Sequence, residues 1–149
     1  MATETVSADP AWWDSWRGVL FANARVLHAV EATLQEHSGI SLAVMDALGR
    51  LFDSPQQRLR MQELQEQSLF TSSGMTRLID RLTDAGFVTR ESVPGDRRGV
   101  LVVLTSEGAR RYADALEKHR TDIEREFGRR LGLSQHKAVA AALDQFWHE

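Results

Sequence analysis

Three arginines define the chemistry open to this chain. Arg77 lies in the stretch TSSGMTRLIDRLTDAG, where Met75, Leu78, Ile79 and Leu82 recur at helical spacing. That spacing puts Ser73, Thr76, Arg77 and Asp80 on the opposite, outward side. Arg97 and Arg98 stand in the run Pro94-Gly95-Asp96-Arg97-Arg98-Gly99, beside an aspartate able to hold one of them. A guanidinium forks onto phosphate oxygens and onto the acceptor edge of guanine. Small hydroxyl residues at a helix start let the helix sit deep in a groove, where its free N–H groups favour phosphate. Arg77 is the best candidate for a guanine edge or a backbone phosphate, with Thr76 and Ser73 beside it. Two plainer readings stay open: any amphipathic helix has a polar outer face, and arginines are common at hairpin tips.

Composition sets the outer bounds. With 149 residues, 42% hydrophobic and 26% charged, the chain suits one ordinary folded domain with helical extensions. It has no cysteine, which excludes disulfides, thiolate metal sites and thiol redox sensing. No long apolar run suggests a membrane span, and the acidic start resembles no signal peptide, so a cytoplasmic location is expected. The formal charge of −3 is unpromising for a nucleic-acid binder, but its distribution is less so. Seven arginines, no lysine and six acids lie between Arg58 and Arg98, and the acidic balance lies outside that segment.

These residues need elements to position them. Asp9 and Pro10 suit a helix start, and Trp13, Leu20, Leu27 and Leu34 then recur at heptad spacing as far as Gly39. Trp16 and Val30 run beside them. A helix of that length carries more apolar face than so small a body can bury, which points to a partner chain. Ser41 caps a second helix ending at Asp53-Ser54-Pro55. A short extended stretch at Arg58–Arg60 leads into a third helix, Met61–Ser68. Thr71 caps a fourth, which Gly86 closes. Period-two alternation then predicts strands at Phe87–Val93 and Val100–Leu104 around a turn at Pro94–Gly99. Thr105 or Ser106 caps a long fifth helix, Gly132 breaks it, and a last helix follows. The fold class is mainly α with a small β-hairpin wing: a winged helix-turn-helix flanked by helical arms.

The run TSSGMTRLIDRLTDAGFVTR, the wing PGDRRG, the strand VLVVLT and the sequel TSEG together resemble the MarR (multiple antibiotic resistance regulator) family. The matching positions include Thr76-Arg77-Leu78, Asp80-Arg81-Leu82, Gly86, Arg90, Asp96-Arg97-Arg98 and Leu104-Thr105-x-x-Gly108, with helix order extending the likeness over roughly residues 11–148. The resemblance implies a bacterial homodimeric, ligand-responsive transcription factor, most often a repressor, bound to a pseudo-palindromic double-stranded DNA. It implies dimerisation through residues 11–38 and 106–148 and DNA binding through residues 41–105. DNA contact carries over to Ser72, Ser73, Thr76 and Arg77 in the groove and to Arg97 or Arg98 in the wing, with Asp96 supporting the wing. Gln65 and Ser68 depart from the family pattern, which bears on the packing of the third helix.

The resemblance also implies an effector cleft between the arms and the DNA-binding lobe. Trp12, Trp13, Trp16, Arg17, Arg25, His28 and Asp46 are candidates to line it, and an aromatic wall beside arginines suits a small aromatic or anionic compound. The competing reading makes the tryptophans dimer core. The five histidines show neither i, i+4 pairing nor a His-Glu-x-x-His motif, so no metal and no cofactor are expected. Nothing assembles a nucleophile with a base or a phosphate loop, and an enzyme is not expected. Asp80 and Asp84 read as solvated ion pairs with Arg77 and Arg81. The remaining alternative is a winged-helix protein-interaction module without DNA binding.

Overall fold

The computed structural model describes residues 10–69 and 74–146, apart from the side chains of Pro10 and Arg97. Thr71, expected to cap the fourth helix, lies outside the described residues. The element order is α1 (Pro10–Ser38), α2 (Leu42–Asp53), β1 (Arg58–Arg60), α3 (Met61–Gln67), α4 (Met75–Asp84), β2 (Val88–Val93), β3 (Asp96–Leu104), α5 (Ser106–Glu126) and α6 (Leu133–Asp144). The architecture is mostly helical with one small antiparallel sheet, as the hydrophobic periods predict.

Helix ends follow local chemistry. Gly39, at φ 64°, stops α1. The Ser41 side chain accepts the Val44 N–H at 3.3 Å and starts α2. Gly86, at φ 75°, ends α4, where the Phe87 N–H reaches the Leu82 carbonyl at 2.9 Å. Thr105 is bonded in both directions. Its hydroxyl donates to the Gly86 carbonyl at 2.7 Å and accepts the Gly108 N–H at 3.0 Å, so one side chain both caps α5 and holds it against the end of α4.

The sheet differs from expectation in two respects. It has three strands, ordered β1-β3-β2, because the short segment Arg58–Arg60 pairs with Val103–Leu101. The last strand begins at Asp96, four residues earlier than the sequence suggests. The Asp96 carboxylate accepts the N–H groups of Arg98 and Gly99 at 3.0 Å each, so residues that read as a polar turn are held as strand. The turn shortens to Pro94 and Gly95, with Gly95 at φ 79°.

One apolar core joins these elements. Leu48, Leu51, Leu64, Ile79, Val88 and Val102 are fully buried, and Leu34 of α1 and Tyr112 and Ala115 of α5 pack into the same cluster. The first half of α1 takes no part. Its side chains from Ala11 to Arg25 are exposed, Trp12, Trp13, Trp16 and Phe21 included, and no described residue of α6 is buried.

Candidate nucleic-acid interface

The fourth helix presents the two faces its spacing predicts. Met75, Leu78, Ile79 and Leu82 are at most 4% exposed, while Thr76, Arg77 and Asp80 face outward. The buried face fixes the helix against β2 and the core, so the orientation of Arg77 is set by the packing of its neighbours. Asp80 does not pair with Arg77 or Arg81. Its carboxylate takes Arg90 of β2 at 2.6 Å and so ties α4 to the first wing strand. Arg77 is left without an ion-pair partner among the described residues. An exposed guanidinium held on a rigid helix and not neutralised is free to meet an external anion.

The wing supplies the second group. Arg98 is exposed, and its side chain has no partner among the described residues, although its N–H binds Asp96. The aspartate was expected to hold a wing arginine by its side chain. Among the described contacts it instead accepts the Arg98 and Gly99 backbone through Oδ1 and receives Arg60 Nη1 on Oδ2 at 3.0 Å. The Arg98 N–H foremost, and then Arg60, hold the Asp96 carboxyl below the usual carboxylate range. Arg60 was not a candidate on sequence grounds. Its only signal was membership of a three-residue extended run.

Ser72 and Ser73 lie outside the described residues, as does the Arg97 side chain. The segment leading to them is anchored from α2. Asp46 Oδ2 accepts the Ser68 hydroxyl at 2.8 Å and the Leu69 N–H at 3.0 Å, and Oδ1 takes Arg50 Nε at 3.0 Å. Ser68, a departure from the family pattern, thus finds a polar partner in place of apolar packing.

The other ligand candidates are not brought together. A cavity of about 430 Å³ opens between the second half of α1, α2 and α5, walled chiefly by Val26, Val30, Met45, Tyr112, Leu116 and Phe127. Asp46 reaches it. Trp12, Trp13, Trp16, Arg17, Arg25 and His28 do not. Trp12 and Trp13 instead meet edge to face at 5.5 Å on the exposed half of α1. His119 lines the cavity, and its Nδ1 is buried without a hydrogen-bond partner among the described residues. Burial lowers its pKa from the ordinary value, against the opposing pull of the Asp122 carboxylate. Among the described residues no group of three or more His, Asp or Glu side chains stands close enough to hold a metal ion, and no helix is long and apolar enough to cross a membrane.

Comparison with known proteins places this geometry. Residues 38–99 match the model of the MarR family. The HTH-type transcriptional repressor YetL of Bacillus subtilis is 35% identical over 85 residues, which cover 57% of this chain and 51% of YetL. The chain thus spans about half the length of the curated relatives it matches. A MarR family transcriptional regulator from Streptomyces coelicolor, solved in complex with DNA, superposes with a TM-score of 0.83 at 27% identity, covering 93% of this chain and 87% of that one. AbsC, a MarR family transcriptional regulator from the same organism, superposes with a TM-score of 0.82 at 25% identity over 95% of each chain.

Proposed function

We propose that this chain, whose residues 38–99 match the MarR family model and whose fold superposes on a MarR family regulator solved with DNA, is a sequence-specific double-stranded DNA-binding transcriptional regulator of that family. The observation that carries this reading is the pair of unneutralised, outward guanidiniums, Arg77 on α4 and Arg98 on β3, with Asp80 and Arg90 tying α4 to β2, the strand paired with β3. In this reading α4 enters a major groove with Thr76 and Arg77 at base edges or phosphates, joined there by Ser72 and Ser73. The wing brings Arg97 and Arg98 to the flank, with Asp96 as their support.

The reading includes a homodimer. Exposed Trp12, Trp13, Trp16, Leu20 and Phe21 on α1 and Leu133 and Phe146 near α6 form more apolar surface than a lone chain keeps in water. Residues 11–38 and 106–148 would build the dimer and residues 41–105 the DNA-binding unit, in the cytoplasm. Two such units read a pseudo-palindrome with half-sites about 10 bp apart. The cavity between α1, α2 and α5 is the effector site of this proposal. Its mostly apolar wall favours a small aromatic compound whose polar group meets His119 or Asp46, and its filling would release DNA in the manner of a repressor.

Selection of bound duplexes from a random pool tests DNA binding, symmetry and spacing together. A two-fold symmetric consensus, with affinity falling steeply with salt as counterions are released, is the expected result. A monomer in sedimentation, or no preference among duplexes at low ionic strength, overturns the proposal. Titration of salicylate and urate into the DNA complex tests the effector site.

A further inference from the structure

Arg60 occupies a position that the DNA-binding residues alone do not explain. It is the last residue of β1 and immediately precedes α3, where its N–H donates to Glu63 Oε2 at 2.8 Å. Its backbone is therefore fixed twice, by the strand and by the helix start. Its side chain reaches across to Asp96, at the far end of β3. The β1–β3 pairing ends at the partners Arg60 and Leu101, so Asp96–Val100 have no strand partner on that side among the described residues. On the other side the β2–β3 register is broken between Ser92 and Val93. The arginine-bearing end of the hairpin thus extends past its best backbone support.

We propose that Arg60 is a positioning residue for the wing: through Asp96 it fixes where Arg97 and Arg98 stand relative to the helix-turn-helix. The Asp96 carboxylate is the coupling piece. One oxygen receives Arg60, and the other gathers the Arg98 and Gly99 N–H groups, so a force on the carboxylate is a force on the backbone that carries Arg98. Gly99 makes this possible. A Cβ there would stand 2.7 Å from Asp96 Oδ2 and 2.7 Å from the Val93 side chain. Arg60, Gln62, Gln65, Asp96 and Arg98 together face a polar concavity of about 480 Å³ between α3 and the wing, with Gln65 half-buried in it. An exposed ion pair of this kind adds little to global stability. Its effect is geometric, and for DNA it rests on the reading given above.

The test has an arm without DNA and an arm with it. In the free protein, Arg60→Gln and Asp96→Asn are compared with the wild type by amide hydrogen exchange and by melting. The Arg98 and Gly99 amides should exchange about fivefold faster in Arg60→Gln, with an almost unchanged melting temperature. Arg60→Lys should restore much of the protection. On the selected duplex, Arg60→Gln should weaken binding about tenfold in the wild-type background and have no further effect when Arg98→Ala is already present. Unchanged exchange at Arg98 and Gly99 overturns the proposal. So does a loss that adds in full to that of Arg98→Ala, because Arg60 would then be a DNA contact in its own right. If the wild type binds no duplex, the DNA-binding reading fails, and the exchange arm still decides whether Arg60 holds the wing.

Discussion

The carbonyl oxygen of Phe87 stands 2.0 Å from the point a Cβ on residue 108 would occupy. Gly108 therefore lets α5 begin directly against the strand that follows α4, and Thr105 closes the same junction by binding both the Gly86 carbonyl and the Gly108 N–H. The helical arm and the winged-helix lobe meet at backbone distance. Gly108→Ala should destabilise the protein by about 3 kcal/mol, since the neighbouring atom is main chain and cannot rotate away. Urea unfolding measures it, and an unchanged midpoint contradicts the packing described.

Asp46 predicts a different failure. Asp46→Ala removes the carboxylate that receives the Ser68 hydroxyl and the Leu69 N–H and should cost about 1 kcal/mol. The same change frees the segment that leads into α4, so DNA affinity should fall further than the melting temperature alone accounts for. Binding and melting measured on one preparation separate the two effects.

Arg77→Ala should leave melting unaltered, because the side chain is exposed and has no ion-pair partner among the described residues. Affinity for the selected duplex should drop by about 1–3 kcal/mol, and the logarithmic salt slope should become shallower by about one if the contact is to phosphate. Unaltered binding would favour the protein-interaction alternative.

His119 predicts a pH response. Burial lowers its pKa below 6.5, so between that lowered value and 6.5 the unfolded chain binds more protons than the folded one. Stability is then fully present above pH 6.5 and declines as pH falls toward the folded-state value. The carboxylates held low, Asp96, Glu107 and Glu126, act only in a more acidic window, near and below their ordinary values. Thermal melts from pH 8 to 5 should show the decline, and His119→Gln should flatten it. An equal slope in the variant assigns the effect elsewhere.

Helix starts and stops were legible because each depends on one or two neighbouring residues, as at Ser41, Gly39 and Gly86. The outward side of α4 was legible for the same reason: period and burial agree at Met75, Leu78, Ile79 and Leu82. What escaped the sequence depends on residues far apart in the chain. Three residues, Arg58–Arg60, are too few for alternation to reveal a strand, and their partners lie in β3. Asp96 reads as part of a turn until its carboxylate is seen to gather two N–H groups of its own strand. Trp12, Trp13 and Trp16 share a helix with the cavity-lining Val26 and Val30 but do not line that cavity. At 1.5 Å rise per residue, Trp12 stands about 20 Å along α1 from Val26. Composition marks an unusual cluster but not the distance to a cavity.

The placement of β1 also shapes how this molecule acquires and loses its structure. Arg58 pairs with Val103, so the edge strand cannot form until everything from α3 through β2 has been brought into a closed loop. The β2–β3 hairpin is local and needs no such loop, so β1 is the strand whose place depends on the rest of the winged helix. Amide exchange under mild denaturant should therefore open the β1 pairing no later than that of the β2–β3 hairpin.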